Sequence, residues 1–189
     1  MVLRVGVLAS GRGTNLQALL EAQGQDYRVV LVCSNRARAP ALERARRARV
    51  PAAVFASGER VAAQTAMAER LRAASIDLVV LAGFDRILVP EFFATLGDVP
   101  LIGTHPSLLP RFGGPGMIGL RVHEAVLRAG ERETGCTVFR ATRDGVDEGE
   151  ILVQRRVPVL AGDTPESLEA RVLEEEHRAI VEAVRSFAR

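Results

Sequence analysis

The first hundred residues alternate apolar, β-branched runs with helical stretches, and this alternation restricts the chain to a small set of layered α/β arrangements. Val2–Ala9 (VLRVGVLA) is almost continuously apolar, as suits a strand buried on both faces of a parallel sheet. Asn15–Gln23 then carries Leu16, Leu19 and Leu20 at helical spacing. Val29–Cys33, Val50–Phe55, Ile76–Ala82 and Val99–Thr104 read as further strands, with helices over Ala41–Ala48 and Arg60–Ala74. This order with short connections predicts a Rossmann-like α/β fold, a mostly parallel sheet with helices on both faces.

Beyond Thr104 the pattern changes. His105–Gly119 holds three prolines and four glycines in fifteen residues, too many for the interior of a helix or strand. A helix is expected over Arg121–Arg128, and the strand-like runs Cys136–Ala141 and Ile151–Val159 flank a turn-rich Thr142–Gly149. An amphipathic helix over Pro165–Phe187 follows, with Thr164 as its N-cap. No repeat, low-complexity tract or linker interrupts this plan, so residues 1–189 are expected to form one domain.

Several function classes are disfavoured. Met1–Ala9 reads as a strand leading into a glycine turn rather than as a signal peptide, and no run approaches the roughly 18 apolar residues of a membrane span. Cys33 and Cys136 are too few for a disulfide framework and lack metal-ligand spacing, so a cytoplasmic protein without a metal is expected. A net charge of +2, no Trp and the single Tyr27 argue against a nucleic-acid surface. The Arg-rich stretch Arg36–Arg49 reads as the solvated face of a short helix. A small anionic ligand fits this composition, and nothing decides between a monomer and a homodimer.

The strand, glycine turn and helix around Ser10-Gly11-Arg12-Gly13-Thr14-Asn15 present backbone N–H groups and a positive helix end to an anion. The same residues also suit a tight turn with an ordinary N-cap and no ligand. A dinucleotide fingerprint fails, because its third glycine would fall at Leu16 and the second strand ends in Ser34-Asn35 rather than an acidic residue. The G-K-[ST] of a nucleotide-triphosphate loop is absent. A phosphate monoester such as a sugar phosphate fits better.

His105-Pro106-Ser107-Leu108-Leu109-Pro110 closely resembles the signature of the folate-dependent formyltransferases. Its neighbours agree in order: Ser10–Asn15, Ser34-Asn35, Leu81-Ala82-Gly83-Phe84, Asp147-Glu148-Gly149 and Glu176-His177. Within that family the chain is most similar to the glycinamide ribonucleotide transformylases of purine biosynthesis. The resemblance implies transfer of a formyl group from 10-formyltetrahydrofolate, as co-substrate, to a primary amine without a metal. It implies that Gly11, Arg12, Gly13, Thr14 and Asn15 hold the substrate phosphate and that Glu176 contacts the ribose or amine end. Arg86, Ile87, Leu88 and the backbone of Arg143, Asp144 and the residues to Asp147 would border the folate. His105 and Asp147 occupy two positions of the family's catalytic trio. Amine attack on a formyl carbon creates an oxyanion and a proton that must move, and a histidine beside a carboxylate serves both needs. Against that stand a histidine fixed structurally beside Pro106 and a turn aspartate before Glu148-Gly149. His123 and His177 have no partner at metal spacing and read as surface or core residues.

The chain departs from the family at five positions. Gly103 stands where the third catalytic residue, an asparagine, is expected, and Phe139 replaces a histidine. Ile118 stands for a tyrosine, Asp85 for a methionine and Ala63 for an aromatic residue. Polar groups are lost and a carboxylate gained, which leaves three readings. One is a transformylase with impaired turnover. Another is the same scaffold, engineered or diverged, performing cofactor-free proton abstraction with Asp85 as general base. The third is a non-catalytic ligand-binding relative. The second requires Asp85 to face apolar walls that raise its pKa, among them Phe84, Ile118 and Phe139. The alternative for Asp85 is a loop aspartate paired in solvent with Arg86.

Overall fold

The computed structural model describes residues 1–56, 58–145 and 147–188. Val146, inside the segment expected to border folate, lies outside them. The chain packs as two compact units, Met1–Ile102 with Val184–Arg189, and Gly103–Ala183. The fold is α/β, with a seven-stranded, mostly parallel sheet in the order β3-β2-β1-β4-β5-β6-β7.

The first unit contains β1 (Leu3–Leu8), α1 (Thr14–Ala22), β2 (Tyr27–Ser34), α2 (Pro40–Arg47), β3 (Ala52–Val54), α3 (Arg60–Ala73), β4 (Leu78–Leu81) and α4 (Pro90–Leu96). β1 pairs in parallel with both β2 and β4, and β2 with β3. Val5, Val7, Leu8, Val32, Val79 and Val80 are wholly or almost wholly buried, as the unbroken apolar runs require. Tyr27 enters this core because its hydroxyl donates to the Leu19 carbonyl at 2.9 Å. Strand order reverses between β1 and β4, the switch point at which open α/β sheets leave a crevice beyond the strands' carboxyl ends.

One helix was not expected. α4 is only seven residues long and too short for a periodic apolar signal, yet Pro90 opens it and Gly97, at φ 74, closes it. Phe92 anchors it in the core and meets Phe93 edge to face at 5.8 Å.

The second unit takes the end of β5 (Leu101–His105), then α5 (Leu120–Arg128), β6 (Glu133–Arg140), β7 (Ile151–Pro158) and most of α6 (Pro165–Ser186). β6 and β7 form an antiparallel hairpin. Gly135 lets the two strands close, since a Cβ there would lie 1.9 Å from the Arg155 carbonyl oxygen. Thr164 caps α6 as expected, its Oγ1 accepting from the Ser167 amide at 3.2 Å.

Among the described residues no helix is long and apolar enough to cross a membrane. Both cysteines are buried free thiols, and burial pushes each up to about 12. Thiol reagents are therefore expected to label neither in the folded protein and both in denaturant; rapid labelling of the native chain would contradict the packing.

Candidate functional site

Gly13 (φ 70, ψ 33) is the N-cap of α1, and among the described residues no side chain caps the helix. Its first-turn N–H groups are left for an external acceptor. Gly13 is required twice: its backbone is left-handed, and a Cβ would lie 2.7 Å from the Ala41 Cβ. The turn's carbonyls face α2, with Gly11 O accepting from the Ala41 amide at 3.1 Å and Arg12 O from Arg44 Nε at 2.8 Å. Because peptide units are trans and planar, the following amides point away from α2. Asn15 is buried, and among the described residues its Oδ1 has no hydrogen-bond partner. The Arg-rich stretch is thus only partly a solvated face: Arg46 and Arg47 pair with Glu43 on the surface, whereas Arg44 holds the turn.

Asp85 is not where a general base was expected. Its Oδ1 accepts from Asn35 Nδ2 at 2.8 Å, its Oδ2 pairs with the Arg36 guanidinium, and its amide donates to Ser10 Oγ at 3.0 Å. Ser10 Oγ in turn donates to Asn35 Oδ1 at 2.6 Å. Burial pushes the carboxyl up, but the hydrogen bond from Asn35, the nearby Ser10 hydroxyl and the charges of Arg36 and Arg86 outweigh it and hold the pKa below the ordinary value. The expected raised pKa and apolar walls are therefore corrected; Phe84 is only half-buried and Ile118 is 59% exposed. With the folded value depressed, the ionised Asp85 carboxylate contributes stability fully above the ordinary aspartate pKa of about 3.9 and loses it as pH falls through the lower one.

Arg86 and Ile87 are exposed and Leu88 is half-buried. Buried Gln64 fixes this segment, donating to Ile87 O at 3.1 Å and accepting from the Val89 amide at 2.7 Å. Gln64 carried no sequence signal beyond its place in a helix. A cavity of about 190 Å³ adjoins it, lined by Phe55, Ala63, Met67, Phe84 and Arg86 among others. Ala63, small where an aromatic residue was expected, forms part of its wall.

In the second unit His105 and Asp147 meet: Nδ1 lies 3.3 Å from Asp147 Oδ2. Both side chains are largely buried. The other ring nitrogen, Nε2, lies 2.7 Å from the Phe112 carbonyl oxygen, which can only accept. Asp147 takes a left-handed backbone (φ 61), which aspartate tolerates, and its Oδ2 accepts from the Gly114 amide at 3.0 Å. The loop after His105 is clamped by Thr137, whose hydroxyl donates to Ser107 O at 2.7 Å and accepts from the Leu109 amide at 3.0 Å.

Glu176 is buried on α6 and accepts from Thr104 Oγ1 at 2.6 Å, a partner that its motif did not predict. Arg143 and Asp144 are exposed and lie 3.8 Å apart. His123 is a core residue, 1% exposed; burial lowers its pKa, opposed by Glu169 and reinforced by His105. Gly103 and Phe139 lie against each other. A Cβ at position 103 would lie 2.9 Å from Phe139 Cζ, so the ring occupies the space a side chain at 103 would need.

The family model for formyl transferases matches residues 3–184. The chain is 36% identical to the chloroplastic phosphoribosylglycinamide formyltransferase of Arabidopsis thaliana, over 96% of this chain and 64% of that protein. It is 34% identical to the phosphoribosylglycinamide formyltransferase of Haemophilus influenzae, over 93% and 82%. A trifunctional purine biosynthetic protein of Drosophila pseudoobscura is 42% identical over 98% of this chain, but the chain spans only 14% of that protein's length. Among solved structures, a glycinamide ribonucleotide transformylase from Symbiobacterium toebii superposes with a TM-score of 0.89 at 45% identity, covering 99% of this chain and 88% of the other. The chain belongs to the formyl transferase family.

Proposed function

We propose that residues 1–189 act as one formyltransferase domain that moves a formyl group from 10-formyltetrahydrofolate to the amine of glycinamide ribonucleotide. The carrying observation is the buried His105–Asp147 contact, whose two members lie 42 residues apart in the sequence and form the pair such a transfer needs. His105 donates to the oxyanion that forms when the amine attacks the formyl carbon. Its Nε2 faces the Phe112 carbonyl oxygen at 2.7 Å, and the oxyanion takes the place of that oxygen. Asp147 orients the ring and organises the water that carries the amine proton to the folate nitrogen as its bond to the formyl carbon breaks. Thr14, Asn15 and the glycines before them hold the substrate phosphate at the uncapped helix end. Glu176, oriented by Thr104, serves the ribose or amine end. Arg86, Ile87, Leu88, Arg143 and Asp144 border the folate. The two buried thiols suit a reducing compartment such as the cytoplasm.

Turnover is low compared with a relative that keeps the asparagine, because Gly103 offers no side-chain donor and one lost oxyanion donor costs about 100- to 1,000-fold. The substrate class is tested by comparing glycinamide ribonucleotide with its dephosphorylated riboside as formyl acceptor. The ribonucleotide is expected to be formylated at far lower concentration; equal use of the two would remove the phosphate turn from the account.

A further inference from the structure

We propose that Asp85 is a positioning residue for the phosphate turn, tying Ser10 and Asn35 into a closed hydrogen-bonded ring that holds the start of the turn in register. This role rests on the reading of Gly11–Asn15 as the phosphate site. Ser10, Asn35 and Asp85 stand just beyond the carboxyl ends of β1, β2 and β4. The ring runs from the Asp85 amide to Ser10 Oγ (3.0 Å), from Ser10 Oγ to Asn35 Oδ1 (2.6 Å), and from Asn35 Nδ2 back to Asp85 Oδ1 (2.8 Å). Each link uses one donor and one acceptor, and Arg36 occupies the remaining carboxylate oxygen. Ser10 is further tied by its amide to Gly83 O at 3.0 Å.

The turn therefore hangs between two anchors. On one side Ala41 and Arg44 of α2 hold the Gly11 and Arg12 carbonyls. On the other the ring holds Ser10. Methionine at position 85 keeps the backbone link to Ser10 Oγ but offers Asn35 Nδ2 and Arg36 no acceptor, which opens the ring at Asn35 and leaves Arg36 without its carboxylate. Asparagine keeps an acceptor for Asn35 and loses only the charge.

These two effects oppose one another, so the sign of the change identifies the role. Losing the anchor weakens anion binding, whereas releasing the Arg36 charge strengthens it. The experiment is calorimetric titration of the full chain with glycinamide ribonucleotide, with steady-state kinetics on the same proteins. Asp85→Met is expected to raise Kd and KM for the ribonucleotide about 10-fold, and Asp85→Asn about 3-fold, because an acceptor is restored to Asn35. kcat at saturation stays within about 2-fold, whereas a variant that merely misfolds in part loses kcat at constant KM. Unchanged or tighter binding by Asp85→Met overturns the positioning role and leaves the phosphate turn standing. If the parent chain itself fails to bind the ribonucleotide at millimolar concentration, the phosphate reading falls and the role of Asp85 with it.

Discussion

Replacing His105 with alanine is expected to lower kcat for formyl transfer by about 100- to 10,000-fold, the contribution of a positioned acid–base group. The ring meets both Asp147 and the Phe112 carbonyl. Asp147→Asn removes the charge and keeps the size, so the Gly114 amide retains an acceptor and the loop keeps its shape. Its kcat is expected to fall by about 100-fold or more with little change in KM, because the lost interaction matters most as charge develops. Steady-state kinetics on both variants, with thermal unfolding to confirm the fold, makes the measurement. Loss of kcat below about 3-fold in His105→Ala would show that the pair is structural.

The second large effect concerns Gly103 and Phe139. Gly103→Asn alone forces a Cβ to 2.9 Å from Phe139 Cζ in a buried site. Overpacking of this kind costs about 1–3 kcal/mol, so the single variant loses stability and gains little activity. Phe139→His removes the atom at the point of conflict. The double variant is expected to be more stable than the sum of the singles predicts, by about 1 kcal/mol or more. It is also expected to raise formyl transfer by about 100-fold, through the restored donor. Denaturant unfolding of the four proteins gives the coupling energy. Strict additivity would mean that the two positions are independent, and unchanged turnover would mean that position 103 does not face the reacting carbon.

Most of the fold was legible because its signal is local. β1, β2 and β4 are apolar runs of the length a buried strand needs, and Thr164 and Pro165 mark the start of α6 by their own chemistry. α4 was missed because seven residues carry no period, although Pro90 and Gly97 bracket it. In the candidate site, His105 and Asp147 were legible only through the family motif. Nothing in a chain of letters says that a left-handed aspartate 42 residues later turns back onto the ring. Of the two readings open for Asp85, the desolvated base fails because the groups that stabilise its charge, Asn35 and Arg36, come from another strand's end. Gly103 and Phe139, 36 residues apart in the sequence, meet in space, which no local pattern reveals. Long-range geometry decided each of these cases.

The most direct measurement follows an isotopically labelled formyl carbon from 10-formyltetrahydrofolate under single-turnover conditions, with glycinamide ribonucleotide as acceptor and excess enzyme. The account predicts that the label moves to the ribonucleotide amine in the parent protein and that His105→Ala slows this step at least about 100-fold. Label that remains on the folate in the parent, at the rate of the uncatalysed mixture, would contradict it.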